Sequence, residues 1–347
     1  MWNINFEQII TEAWKEYDRS KDIVKIVDVS ARVSTNHVFK VIFKNRAPVY
    51  AKLSYYGKFD HFREDHVIIN NLANNIESPY ENFLARSLTK NNDVYIYRYS
   101  EDCNSAWVVF YNPIKIKNKM PRRLEESHIR QMGKELALFH RACTNVEPSL
   151  PESSKTLHVD VNSLIVSTHS RKKDVITENR DIILSHCDKF IAESGKLEDY
   201  GKLDKIPVFV DWNIGNYSVA GNGKFYSRWD YDWFRIANRV MDFYFFSRVV
   251  SDAGDKTAFS YWMDTLMEDR FILFLKEYHK TFPLAEVEVL FIKEAYRFFI
   301  LNYVMKDGEY FFCDKYARKL QMEAIDYYLP SIDKKFSTDR LLKALDI

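Results

Sequence analysis

The sequence predicts an α+β protein of two lobes, a small one built on an antiparallel sheet and a larger one that is mainly helical. Three observations predict it. Segments rich in β-branched and aromatic residues crowd the N-terminal third of the chain, as in HVFKVIF and VYAKLSYY. After Pro113 apolar residues recur instead at helical spacing. Within that helical region a single short apolar run, Val208 to Val210, delivers a polar cluster unlike anything around it. The expected division is residues 1–112 for the first lobe and 113–347 for the second.

The elements follow in order. MWNINFEQIITEAWKEYD is an amphipathic helix candidate without the basic start and apolar core of a signal peptide. Residues 37–43 and 49–56 read as strands, and Asn45 to Pro48 as the turn of a hairpin. In 62–75, Asp65, Ile68, Ile69 and Leu72 fall on one helical face. Strands are expected at 93–99 and 106–114, with a polar turn from Ser100 to Ser105. Residues 128–144 form a helix with Ile129, Met132, Leu136 and Phe139 on one side. Residues 145–175, polar and turn-rich, read as a surface excursion. A helix over 176–195 is expected to stop at Gly195. From Arg239 the chain is helical and aromatic.

Composition narrows the function. Hydrophobic content of 46% supports a packed core, which argues against a disordered chain. The 50 basic and 49 acidic residues nearly cancel, so a nucleic-acid partner, which needs a basic surface, is not expected. Cys103, Cys143, Cys187 and Cys313 are widely spaced and read as reduced thiols of a cytoplasmic protein. The longest apolar stretches are too short to span a bilayer, so no membrane insertion is expected.

The chemistry concentrates in VFVDWNIGNYSVAGNGKFYSRWDYDW, residues 208–233. Asp211 is followed five residues later by Asn216, then by a hairpin turning at Gly221-Asn222-Gly223, then by Asp230 and Asp232. Phosphoryl transfer needs a carboxylate to orient a hydroxyl and take its proton, and oxygen donors to hold Mg²⁺ against phosphates. Asp and Asn also favour turns, so Asp-x4-Asn alone equally describes an ordinary loop. Asp230 and Asp232, taken alone, describe a solvent-facing pair on an edge strand. The ordered context separates the readings: a lysine-bearing strand, an acidic helix, two strands, a helix ending in His140, and only then the loop.

On these residues the chain resembles the aminoglycoside phosphotransferase and choline kinase-like family, a branch of the protein-kinase-like fold. MGKELALFH (132–140) looks like that family's Gly-x-x-Leu-Ala-x-x-His helix, DWNIGN (211–216) like its catalytic loop and WDYDW (229–233) like its metal-binding Asp-x-Asp. STNHVFKV (34–41) is similar to the strand that precedes the nucleotide lysine, and the likeness spans about residues 30 to 250. The resemblance implies an ATP- or GTP-dependent kinase that phosphorylates a hydroxyl of a small, in some cases amine-bearing, molecule. It implies that Asp211 is the catalytic base, and that Asn216 and Asp230, assisted by Asp232, hold Mg²⁺. Lys52 would contact the α- and β-phosphates, with Asp65 or the adjacent Glu64 as its acidic partner. Ser34 and Asn36 would lie against the phosphates, and Phe110, Tyr111 and Asn112 would form the hinge beside the purine.

Three departures accompany it. Phe209 and Val210 stand where the family has His-Gly, no glycine-rich loop covers the phosphates, and an aspartate stands in the paired glutamate's place. They motivate the alternative of a kinase-like binding or regulatory protein without turnover. His140 reads as a packed or hydrogen-bonded helix residue rather than a catalyst. Most C-terminal aromatics read as core, and Asp242, Asp255, Asp264 and Glu268 as solvated acids.

Overall fold

The structure, a computed structural model, describes residues 5–31, 35–101, 104–170, 172–253 and 260–347. Asn5 caps the first helix, α1 (Phe6–Tyr17), by accepting the amide of Gln8. The strands β1 (Ile23–Asp28), β2 (His37–Phe43) and β3 (Val49–Ser54) lead into helix α2 (Phe59–Asn75). A two-residue pair, β4 (Thr89–Lys90) and β5 (Asp93–Val94), precedes β6 (Ile96–Glu101) and β7 (Asn104–Tyr111). The longer strands form one antiparallel sheet in the order β1-β2-β3-β7-β6. Ser100, Glu101, Asn104 and Ser105, expected in a turn, are paired strand residues.

Strand alternation gives the sheet two different faces. Phe39, Val41, Ala51, Leu53, Val108 and Phe110 pack with Ile9, Ile10, Ala13 and Trp14 of α1 into one core. The other face presents Lys52, which is opposite Val38 on one side and Val109 on the other. Helix α2 buries the predicted face, Asp65, Ile68, Ile69 and Leu72. Its apolar residues belong to the core of the larger lobe rather than to that of the sheet.

The larger lobe opens with α3 (Glu126–Val146), α4 (Leu157–Ser167), α5 (Val175–Glu178) and α6 (Arg180–Tyr200). Short strands β8 (Ile206–Val208), β9 (Tyr217–Val219), β10 (Phe225–Arg228) and β11 (Arg235–Ala237) carry the polar cluster; β9 pairs with β10 and β8 with β11. The remainder is α7 (Phe243–Val250), α8 (Asp269–Thr281), α9 (Glu286–Phe299), α10 (Gly308–Phe311), α11 (Asp314–Glu323), α12 (Leu329–Lys335) and α13 (Thr338–Leu345), with π-helical turns at 300–306 and 324–328.

Two expectations change. The 145–175 segment contains α4, which Thr156 caps, and its Asp160, Val161 and Leu164 are buried. Its polar residues form internal ion pairs, which composition alone reads as surface. Helix α6 runs past Gly195 to Tyr200, with Gly201 at its C-cap. Gly195 has open space around it, so nothing there forces a stop.

Gly133 in α3 has a definite purpose. A Cβ there would lie 2.5 Å from the carbonyl oxygen of Phe274, so glycine allows α3 and α8 to cross closely. That crossing brings His140, seven residues on, against Tyr278 and Asp242.

Candidate active site

The site is assembled where β3, the β8–β9 loop and the segment after β10 meet. Lys52, 5% exposed, projects from β3 and forms ion pairs with Asp230, at 3.3 Å, and with Asp232. Burial pulls the lysine's pKa down, but the two carboxylates outweigh it and the net shift is upward. The same pairing holds Asp230 below the ordinary carboxylate range despite its burial. Asp232 goes the other way: burial and the charge of Asp230 push it up more than Lys52 pulls it down. Asn36 completes the cluster, donating to Asp232 at 2.8 Å and accepting from Ser54 at 2.9 Å. Ser34 lies outside the described residues.

Asp211 feels burial first and then the charge of Asp230, and its carboxyl is pushed up to about 7. Two carboxylic acids that raise each other's cost of ionisation mark a place where a cation lowers the energy. Asn216 has its backbone fixed by an amide bond to Asn213, at 2.8 Å, and a carbonyl accepting from Trp229, at 3.0 Å. Among the described residues no group of three His, Cys, Asp or Glu forms a metal cluster. The oxygens brought together here are the carboxylates of Asp230 and Asp232. Such hard oxygen donors suit Mg²⁺, which keeps several waters and shares its shell with phosphate.

The loop after β8 is held without the histidine that the resemblance implies at position 209. Asp242, fully buried, accepts from the amides of Phe209, at 3.0 Å, and Val210, at 2.6 Å. His140 Nε2 lies 2.9 Å from the other oxygen of Asp242, and its Nδ1 2.8 Å from the Tyr278 hydroxyl. Burial lowers the pKa of His140 and keeps the ring neutral. One tautomer then satisfies both partners, Nε2–H donating to Asp242 and Nδ1 accepting from Tyr278. Arg228 Nη2 donates to the carbonyl of Asp211, and its guanidinium lies 4.6 Å from the Phe209 ring and 4.2 Å from that of Trp212. Val210 has φ of +58°, a left-handed conformation costly for a β-branched residue and free for glycine. Asp230 has φ of +67°, so both ends of the cluster carry strain of order 1–3 kcal/mol each.

The expected acidic partners of Lys52 are engaged elsewhere. Lys155 contacts both oxygens of Asp65, at 2.6 and 2.7 Å. Glu64 accepts from the Ser153 hydroxyl, at 2.6 Å, and the Ser154 amide, at 2.9 Å. Lys52 therefore pairs with Asp230 and Asp232, not with α2. At the expected hinge, Phe110 turns its ring into the sheet core, 5.3 Å from Trp14, and its carbonyl accepts from the Leu88 amide at 2.7 Å. The Tyr111 hydroxyl lies 2.5 Å from His66 Nε2, and the Asn112 amide donates to the Arg86 carbonyl at 3.0 Å.

Sequence reasoning missed Arg228, Lys155 and the role of Asp242. Asp242 reads as a solvated helix acid, yet it anchors the loop; its position just before the apolar run FYFF was the available signal. Asp264, by contrast, pairs with Lys335 at the surface. Glu268 accepts from the Ser251 hydroxyl and the Asp252 amide. Asp255 lies outside the described residues.

The sheet, the crossing α2 and the loop between β8 and β9 define a two-lobed protein-kinase-like fold. Among similar solved structures is the amicoumacin kinase hAmiN in complex with AMP-PNP, Ca²⁺ and Ami, with a TM-score of 0.63, 12% identity and 97% of each chain covered. A microcompartment-associated aminopropanol kinase gives 0.56 at 12% identity, covering 94% of this chain and 98% of its own. The GDP complex of aminoglycoside 2'-phosphotransferase-IIIa gives 0.56 at 8% identity, covering 94% and 99%. No protein-family model matches the sequence, and no curated protein matches it significantly. Among the described residues no helix is long and apolar enough to cross a membrane.

Proposed function

We propose that the protein is an ATP- or GTP-dependent kinase that transfers the γ-phosphoryl group to a hydroxyl of a small molecule. The observation that carries the reading is the convergence of Lys52, Asp230 and Asp232 beside a carboxyl, Asp211, whose pKa lies near neutrality. Residues 1–112 would form the nucleotide lobe and 113–347 the catalytic and acceptor lobe, with the join just after β7. The reduced state of Cys143, Cys187 and Cys313 suits a cytoplasmic enzyme.

In this reading Lys52 exchanges its carboxylates for the α- and β-phosphates, a point-charge task suited to an ammonium group. Asn216, Asp230 and Asp232 would hold Mg²⁺, which supplies charge neutralisation across the phosphates. Asp211 aligns the acceptor hydroxyl in line with the γ-phosphorus and takes its proton. The new oxygen–phosphorus bond forms as the bridge to the β-phosphate breaks, and ADP or GDP leaves. Positioning and electrostatics carry the rate, because the chain supplies no covalent step.

The alternative of a kinase-like protein without turnover draws on Phe209-Val210. Against it, Asp242 and Arg228 fix the loop that the missing histidine would have fixed.

Calorimetry with Mg-ATP and Mg-GTP on wild type and Asp230→Ala tests the proposal. Metal-dependent binding of one nucleotide, lost in the variant, is the expected result. Absence of binding to either nucleotide would refute it.

A further inference from the structure

Lys52 is the cation of its own cluster. Its ammonium lies against Oδ1 of both Asp230 and Asp232. Asp232 Oδ2 accepts from Asn36 at 2.8 Å, and Asp230 Oδ1 also accepts from the Asp232 amide at 3.3 Å. Asp230 Oδ2 is left as the one oxygen of the pair without a partner among the described residues. The carboxylates are reachable all the same: the side chains of Asp230 and Asp232 are 40% and 22% exposed, and that of Lys52 only 7%. Asp232 also lines a cavity of about 390 Å³ that α2 bounds on one side.

Lys52 has no other acid to turn to on α2. It sits in the middle of the sheet, on β3, paired through Val38 and Val109 to the strands on either side. Asp65 is engaged by Lys155, and Glu64 by Ser153 and Ser154. A divalent cation that arrives alone therefore has two ways in, both unfavourable. If Lys52 stays, ammonium and metal repel each other across a few ångströms of partly buried space. If Lys52 withdraws, its ammonium is left buried without a counter-charge. Among the described residues no third His, Cys, Asp or Glu joins the pair to offset either cost. A metal carried by a triphosphate meets neither obstacle, because the phosphates contribute oxygens to its shell and give Lys52 a new anion.

We propose that Lys52 locks the metal site: it keeps out a free divalent cation and yields only to one already bound to a nucleoside triphosphate, so that metal and nucleotide enter as a single ligand. The inference rests on the kinase reading and adds the order of binding to it. The lock depends on the pairing of Asp65 with Lys155, which takes away the acid that sequence reasoning assigns to Lys52.

Mn²⁺ is the probe, followed on the full chain by electron paramagnetic resonance of the free ion, for wild type, Lys52→Met and Lys52→Arg. Without nucleotide, Lys52→Met is expected to bind Mn²⁺ at least about tenfold more tightly than wild type, the low end of what a charge at this range does. Lys52→Arg, which keeps the charge, should stay near wild type. Mn²⁺ alone should raise the melting temperature of Lys52→Met and leave that of wild type unmoved. The same Mn²⁺ affinity in wild type and Lys52→Met, or no binding by either, would overturn the proposal. If Lys52→Met fails to fold, wild type decides. Its affinity for Mn²⁺ should then be at least about tenfold weaker than for the Mn²⁺ complex of AMP-PNP or GMP-PNP. Equal affinities, or binding of neither complex, would overturn the proposal. The two readings fail separately. Binding of neither nucleotide complex, with Mn²⁺ affinity still gained in Lys52→Met, would sink the kinase reading and leave the exclusion of free metal standing. Binding of a nucleotide complex by a wild type that takes Mn²⁺ equally well without it would sink this inference alone.

Discussion

Arg228 Nη2 donates to the backbone carbonyl of Asp211 across 2.8 Å, tying the residue two before Asp230 to the loop after β8. The Asp211 loop and the segment that carries Asp230 and Asp232 are thus cross-linked by one guanidinium. Burial lowers the pKa of that guanidinium, and the charges of Asp242 and Asp211 oppose the shift. Its Nε and Nη1 have no partner, so the arginine is not placed there for stability.

Arg228→Met keeps the stacking on Phe209 and Trp212 and removes the bond to Asp211. Thermal stability should change little, because desolvation of the guanidinium is relieved as its contacts are lost. The turnover number should fall by on the order of tenfold with a smaller change in nucleotide KM, the mark of a positioning residue. Arg228 also lowers the pKa of Asp211, so the ascending, low-pH limb of the pH profile should move to higher pH in the variant. A variant with wild-type turnover and an unmoved profile would show that the loop does not depend on Arg228.

The Asp211 carboxyl, raised by burial and by Asp230 to about 7, sets a pH dependence of its own. A base must be ionised, so kcat/KM should climb through neutrality and level off above it. Stability should move the other way. The folded state keeps a proton that the unfolded chain, at 3.8, has released. Between about pH 4 and 7 this group therefore costs stability as pH rises. Asp211→Asn should melt at a higher temperature than wild type at pH 8, converge with it near pH 4, and be inactive. Melting curves across that range test the sign.

Lys155→Met removes the cation from a buried carboxylate. Burial raises Asp65 to about 6 even with Lys155 beside it. In wild type its contribution to stability is thus already falling between about pH 4 and 6, and without Lys155 the fall should continue to higher pH. The variant should be destabilised by about 3 kcal/mol at pH 8, the cost of an uncompensated buried charge, and by much less at pH 5, where Asp65 takes up a proton. Denaturant midpoints at the two pH values check it; equal losses at both would show that lost packing, not charge, is responsible.

The features of this molecule legible in the sequence are those that follow local rules. The face formed by Asp65, Ile68, Ile69 and Leu72, the alternation in β2 and β3, and the turn at Gly223, with φ of +77°, all depend on near neighbours. So does the order of Lys52, Asp211 and Asp230 along the chain. What the sequence concealed depends on partners far apart in it. Asp242 meets His140 from 102 residues away, and Lys155 meets Asp65 from 90. A charged residue written into a polar segment looks the same whether it ends at the surface or inside an ion pair. Val210 is the opposite case: a side chain that local rules exclude from its own backbone conformation, kept there by the carboxylate of Asp242.

The membership of α2 in the large core has a mechanical consequence. Its apolar face is buried with the larger lobe, and Glu64 and Asp65 fasten it to residues 153–155. The sheet, sealed by α1, has a core of its own. Lys52 rides on one body and Asp65 on the other. Any opening of the cleft would shear along the seam between sheet and helix, inside the small lobe, and leave the α2 wall of the cavity beside Asp232 standing still.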